Sequence, residues 1–142
     1  MILLDVNVLV YAHREDAPNH KAYLQWLEGR LTSDEPFGVS ELVLSGCLRV
    51  ITHPRIFSIP TPLSEAWRFV EQIRQHSNVR IVQPGPSHWR IFAGLCKSVE
   101  AKGNLIPDAF HAALAIETGC EWVTTDRGFA RFPNLKWRHP LD

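Results

Sequence analysis

Four acidic residues stand where a chain can gather carboxylates: Asp5, Glu41, Asp108 and Asp126. Asp5 follows the apolar run 2–4, Glu41 follows 36–40, and Asp126 follows 121–125. Asp108 comes just after Pro107, at the head of an alanine-rich stretch. Carboxylates brought to one point repel one another, so such a cluster takes up protons or holds a cation. Oxygen-only donors select hard ions, which makes Mg²⁺, with Mn²⁺ as a substitute, the expected cofactor. An ion of this kind stabilises charge on a phosphoryl oxygen and activates water, so the chemistry that follows is phosphodiester hydrolysis.

Each acid taken alone has an ordinary explanation. Asp5 can cap the helix after it, Asp126 can cap the turn 127–132, and Asp108 can complement a helix dipole. Glu41 resists that account better. With Ser40 as N-cap, a capping box needs Glu or Gln at position 43, and Val43 stands there. Capping also leaves unexplained why four acids should share one edge.

The elements that must position them alternate along the chain. Residues 2–4 read as a buried strand, followed by a helix from Val6 or Asn7 to about His13. Pro18 opens a second helix, with Tyr23, Leu24, Trp26, Leu27 and Leu31 at helical spacing. A strand at 36–40 leads to a helix from Glu41 to about Thr52, whose Leu42, Leu44, Leu48 and Ile51 are expected to face a core. Three prolines mark 53–62 as a loop. Then come a helix over 64–76, a strand over 79–82, and a helix over 88–102 with Gly103 as its stop. A helix over 107–118, stopped by Gly119, precedes a strand at 121–125, a helical turn at 129–132 and a last strand at 135–137. This alternation predicts an α/β sandwich: a parallel sheet covered on both faces, with right-handed crossovers. Sites in such sheets form at the carboxyl ends of the strands, where the four acids fall.

Bulk properties narrow the field. At 142 residues, 45% hydrophobic and 21% charged, the chain has the size and composition of one soluble domain spanning 1–142. No apolar run approaches the roughly 18 residues of a membrane span. The opening Met-Ile-Leu-Leu-Asp lacks a basic leader and is not expected to be a signal peptide. Cys47, Cys96 and Cys120 are odd in number and far apart, which fits buried thiols in the cytoplasm better than disulfides or zinc. Fifteen basic residues balance fifteen acidic ones, so nucleic acid is not held by bulk charge, although a catalytic acid cluster itself lowers the total.

Other chemistries lack their signals. There is no G-x-x-x-x-G-K-[ST] loop, no G-x-S-x-G elbow and no H-E-x-x-H. His111, one helical turn after Asp108, reads as structural more readily than as support for the site. The Trp and Phe residues at helical spacing read as core.

Four segments together resemble the PIN-domain family, and within it the VapC-type toxins of bacterial toxin–antitoxin pairs. They are ILLDVNVLVYA, VSELVLSGCLRVITHPRIF, GNLIPDAFHAALAIETGCEWVTTDRGFARFPNLKW and the terminal HPL. The resemblance implies a five-stranded parallel PIN-like α/β/α sandwich and a Mg²⁺- or Mn²⁺-dependent endoribonuclease. It assigns Asp5, Glu41, Asp108 and Asp126 as the catalytic acids, with Asp5, Asp108 and Asp126 on the metal and Asn7 and Thr124 in support. Many relatives carry a further acid where Gly128 stands, which leaves one or two ions open. It also implies an RNA substrate, an antitoxin partner whose C-terminal segment reaches the site, and a homodimer. Tyr23, Trp26, Leu27, Ile56, Phe57 and Ile59 are candidates for that contact, or for ordinary core packing. Two readings compete with a toxin ribonuclease: RNA processing or DNA cleavage on the same fold, and a binding module that holds an ion only structurally.

Overall fold

The first strand, β1 (Ile2–Leu4), lies at the centre of the sheet, because Leu3 and Leu4 are fully buried and need a neighbour on each side. The computed structural model describes all 142 residues. After β1 come α1 (Val6–His13), α2 (His20–Leu31), β2 (Phe37–Val39), α3 (Glu41–Ile51), α4 (Leu63–Gln75) and β3 (Val79–Ile81). Then follow α5 (His88–Ser98), α6 (Leu105–Thr118), β4 (Glu121–Val123), a 3-10 helix (Arg127–Arg131) and β5 (Trp137–Arg138). All five strands are parallel, in the order β3-β2-β1-β4-β5. The predicted α/β architecture with a five-stranded parallel sheet is the one observed.

Register explains a glycine. Leu3 pairs with Gly38 of β2, where a Cβ would lie 2.8 Å from Val82 Cγ2 and 3.1 Å from Leu3 Cδ1. On the other side Leu3 pairs with Trp122 and Leu4 with Val123, so β4 abuts the central strand. Trp122, Phe37, Phe129, Leu9 and Leu27 fill the core around this sheet.

The helices begin and end for local reasons. Asp5 caps α1, and Ser40 caps α3 by accepting from the Val43 amide at 3.1 Å. Pro107 sits in the first turn of α6, where an amide has no intrahelical partner to lose. Gly119 ends α6 at φ 68, with Cys120 N donating to Ala115 O at 2.9 Å.

Several expectations needed correction. α5 stops at Ser98, short of Gly103. Glu100 takes the left-handed conformation at φ 50, and Ala101 N then donates to Cys96 O at 2.9 Å. This is the same terminal motif as at Gly119, formed without glycine, and Gly103 turns the chain into α6 instead. Leu42 is exposed, because α3 buries Val43, Leu44, Cys47 and Ile51. Trp67 and Trp89 stand out from the surface, 48% and 71% exposed, against the expectation that the helical aromatics are all core. Tyr23 and Leu27 are buried core residues, which removes them from a contact surface, while Ile56 and Ile59 are exposed. The three cysteines are free, and no helix is long and apolar enough to cross a membrane.

Candidate active site

Asp5 leaves the end of the central strand and turns the chain into α1. Its Oδ1 accepts from the Val6 amide at 2.7 Å, and its Oδ2 accepts from the Thr124 hydroxyl at 2.6 Å. Its own amide donates to Val123 O at 2.9 Å, which ties the residue to β4. The carboxylate is therefore fixed in a buried position by both of its oxygens.

Thr124 extends the arrangement. It is fully buried one residue past β4, and its Oγ1 also accepts from the Asp126 amide at 3.0 Å. Asp126 in turn caps the 3-10 helix, with Oδ1 accepting from the Gly128 amide at 2.7 Å. A short loop thus links Asp5 to Asp126 through one hydroxyl. Asp108 comes from another direction, half-buried in the first turn of α6.

Electrostatics show that these three residues share one field. Burial pushes the Asp5 carboxyl up to about 6 from 3.8. The Thr124 and Val6 hydrogen bonds oppose that rise, while the charges of Asp108 and Asp126 add to it. Asp108 is also held above its ordinary value, by burial and then by Asp126, with Arg131 acting in the opposite sense.

Glu41 is exposed at the start of α3 and committed to a cation. Its Oε2 accepts from Arg74 Nη2 at 3.1 Å and Nε at 3.2 Å. The charges that raise Asp5 are those of Asp108 and Asp126, and Glu41 is balanced by Arg74 instead. Asn7 lies half-buried in the first turn of α1, two residues past Asp5. His111 is buried and stacks on Trp122, with ring centroids 5.3 Å apart and planes at 17°. Burial, and then the neighbouring His88, holds it down to about 4 from 6.5, so it is a neutral core residue.

The donors suit a hard cation in a particular way. All are carboxylate oxygens, and two of the three acids sit above their ordinary values, a charge imbalance that a cation would relieve. No three acid, histidine or cysteine side chains converge closely enough to chelate one ion among themselves. That geometry fits an ion that keeps much of its water and takes one or two carboxylates, as Mg²⁺ does.

Sequence reasoning missed Arg131. An arginine three positions past Gly128 in an exposed turn carries no pattern of its own, and only the folded 3-10 helix brings its charge to bear on Asp108.

The chain resembles known proteins over its whole length. The chain is 46% identical to Ribonuclease VapC43 of Mycobacterium tuberculosis over 142 residues, covering 100% of this chain and 97% of the relative. It is 43% identical to Ribonuclease VapC25 of the same organism over 140 residues, 99% of each chain. Among solved structures it resembles VapBC2 from Rickettsia felis bound to a promoter DNA fragment, with a TM-score of 0.73 at 22% identity and 98% of each chain covered. The sequence profile of the PIN domain matches residues 2–135, which include β1, β4 and all three clustered aspartates. With that match and these full-length relatives behind it, the chain belongs to the PIN-domain family, among its VapC ribonucleases.

Proposed function

We propose that the protein is a metal-dependent endoribonuclease and the toxin of a toxin–antitoxin pair. The observation that carries this reading is Asp5: a buried carboxylate, fixed through both oxygens, whose charge is opposed by two further aspartates. A fold does not by its nature bring two acids from strand ends and a third from a helix start into mutual repulsion, and a cation with a phosphate ester is the chemistry that uses them. Its full-length relatives are named ribonucleases, which supports RNA as the substrate.

Asp5, Asp108 and Asp126 would hold Mg²⁺, or Mn²⁺ in its place, in part through the ion's own waters, leaving one or two ions open. When bound, the ion supplies positive charge for the phosphoryl oxygens and for the acids themselves. Thr124 is a positioning residue, since its hydroxyl fixes Asp5 while its oxygen receives the Asp126 amide. Asn7, two residues past Asp5, would orient the RNA backbone through its side-chain amide. Glu41 acts with less influence, because Arg74 already balances it. An antitoxin segment would silence the enzyme by covering the acids, and the active unit would be a homodimer.

The test is cleavage of a structured RNA by the purified protein with Mg²⁺, with Mn²⁺ and with a chelator, followed by mapping of the new 5′ ends. Cleavage should need the ion, and Asp108→Asn should lower the rate at least about a hundredfold while leaving the fold intact. Equal rates for wild type and variant would remove Asp108 from the site. Binding without cleavage by the wild type would favour the structural-ion alternative.

A further inference from the structure

Arg131 closes the 3-10 helix, and its Nε donates to Gly128 O at 2.9 Å. That bond fixes the root of the guanidinium and engages neither of its terminal amino groups. The side chain is exposed and pairs with no carboxylate. Arg14, Arg74, Arg127 and Arg138 are each paired with a carboxylate, and of the arginines left without one, Arg131 is the one that stands beside Gly128 and Asp126.

Gly128 lies between Asp126 and Arg131. A Cβ at that position would lie 2.8 Å from Asp126 Oδ1 and 3.4 Å from Arg131 Nη2. The Asp126 carboxylate and the Arg131 guanidinium, with its free donors, therefore flank the same glycine. A local cap on the 3-10 turn accounts for Nε, because that nitrogen bonds a carbonyl three residues back. It does not account for a two-pronged donor left unpaired at the rim of an acid cluster.

An anion approaching three aspartates is repelled unless a cation meets it. A planar guanidinium with both terminal groups free matches two oxygens of a phosphate. We propose that Arg131 is a phosphate-binding residue, whose terminal amino groups take the non-bridging oxygens of an RNA phosphate and hold it beside Asp126 and Asp108. The proposal rests on the ribonuclease reading of the same site, and it adds a positive contact to a site otherwise described only by its acids. Gly128 is part of it, since a Cβ there would meet Asp126 Oδ1 at 2.8 Å and touch the guanidinium.

The experiment measures binding, so it stands apart from cleavage. A fluorescein-labelled RNA hairpin is titrated by anisotropy against Asp108→Asn protein, which leaves the RNA whole, across a series of NaCl concentrations. The same is done with Arg131→Gln and Arg131→Lys added. Arg131→Gln should weaken binding roughly fivefold to tenfold at moderate salt. It should also flatten the slope of log K against log salt by about 0.7–0.9, the share of one phosphate contact. Arg131→Lys should keep the slope and lose affinity, because a point charge replaces the fork. An unchanged slope and affinity in Arg131→Gln overturns the proposal, as does the absence of any RNA binding. Should Arg131→Gln fail to fold by circular dichroism, Arg131→Lys decides alone, and affinity equal to that of the parent protein overturns it. Failure of the ribonuclease reading looks different: the wild type then leaves RNA uncut, whatever Arg131 does to binding.

Discussion

The hydroxyl of Thr124 donates to Oδ2 of Asp5 at 2.6 Å, joining residues 119 positions apart in the chain. Thr124 thereby holds Asp5 from β4 while accepting the amide of Asp126, so one side chain sets the position of two acids. Thr124→Val keeps the shape and removes the hydroxyl, leaving a buried carboxylate oxygen and an amide without partners. We expect a stability loss on the order of 1–3 kcal/mol in thermal melts. The acid limb of the pH–rate profile should also move upward, because a hydrogen bond that lowers the Asp5 pKa is gone. Thr124→Ser should restore both. A Thr124→Val enzyme with the wild-type pH profile would deny the residue a positioning role.

Stability against pH should show opposed contributions below neutral pH when metal is removed by chelation, the largest from Asp5 and His111. The Asp5 carboxyl titrates at about 6 in the fold against an ordinary 3.8, so between those values the folded chain keeps a proton that the unfolded chain has released. Stability from this source falls as pH rises through the window. His111 works in reverse: held down to about 4 from 6.5, it refuses in the fold a proton that the unfolded chain accepts, so stability falls as pH drops. The wild type should therefore melt at nearly constant temperature between the two, and Asp5→Asn should expose the His111 contribution. Its stability should decline by on the order of 2–3 kcal/mol from pH 6.5 towards pH 4. A flat profile in Asp5→Asn would contradict the opposition.

Metal binding should stabilise the fold by linkage. At a hundred times its dissociation constant, Mg²⁺ or Mn²⁺ should add about 2.7 kcal/mol, read as a rise in melting temperature. Asp108→Asn should shrink that rise. The same increase in variant and wild type would put the ion elsewhere on the molecule.

Glu41 should behave unlike the three aspartates. Its pair with Arg74 is exposed, so Glu41→Gln and Arg74→Gln should each change stability by less than about 1 kcal/mol, with little coupling in the double variant. Glu41→Gln should retain measurable cleavage where Asp108→Asn does not. Equal loss in both variants would return Glu41 to the centre of the site.

The legible parts of the sequence were those fixed by local chemistry. Ile2–Leu4 with Asp5 behind it can only be a strand meeting a helix start, and Gly119 marks the end of α6 through its left-handed conformation. Asp126 showed its capping role for the same reason, and it caps the 3-10 helix as well as facing the cluster. What stayed hidden was set by partners far along the chain. Nothing near Glu41 announces Arg74, which lies 33 positions on. The end of α5 was misjudged because Glu100, an unfavourable residue for the left-handed region, does there what glycine was expected to do at 103. Leu42 looked like core because its spacing allows two helix faces, and packing chose the one with Val43 and Cys47.

Placing β1 in the middle of the sheet has a consequence for how the protein is made. The central strand precedes both of its neighbours in the chain, and one of them, β4, pairs with it across a separation of 119 residues. Asp5 cannot be held until Val123 and Thr124 arrive, and the loop that must close spans nearly the whole molecule. An unfinished chain can pair β1 with β2 but cannot orient its own first acid. For a nuclease, this order of assembly withholds a working cluster until β4 has docked, which ties activity to completion of the sheet.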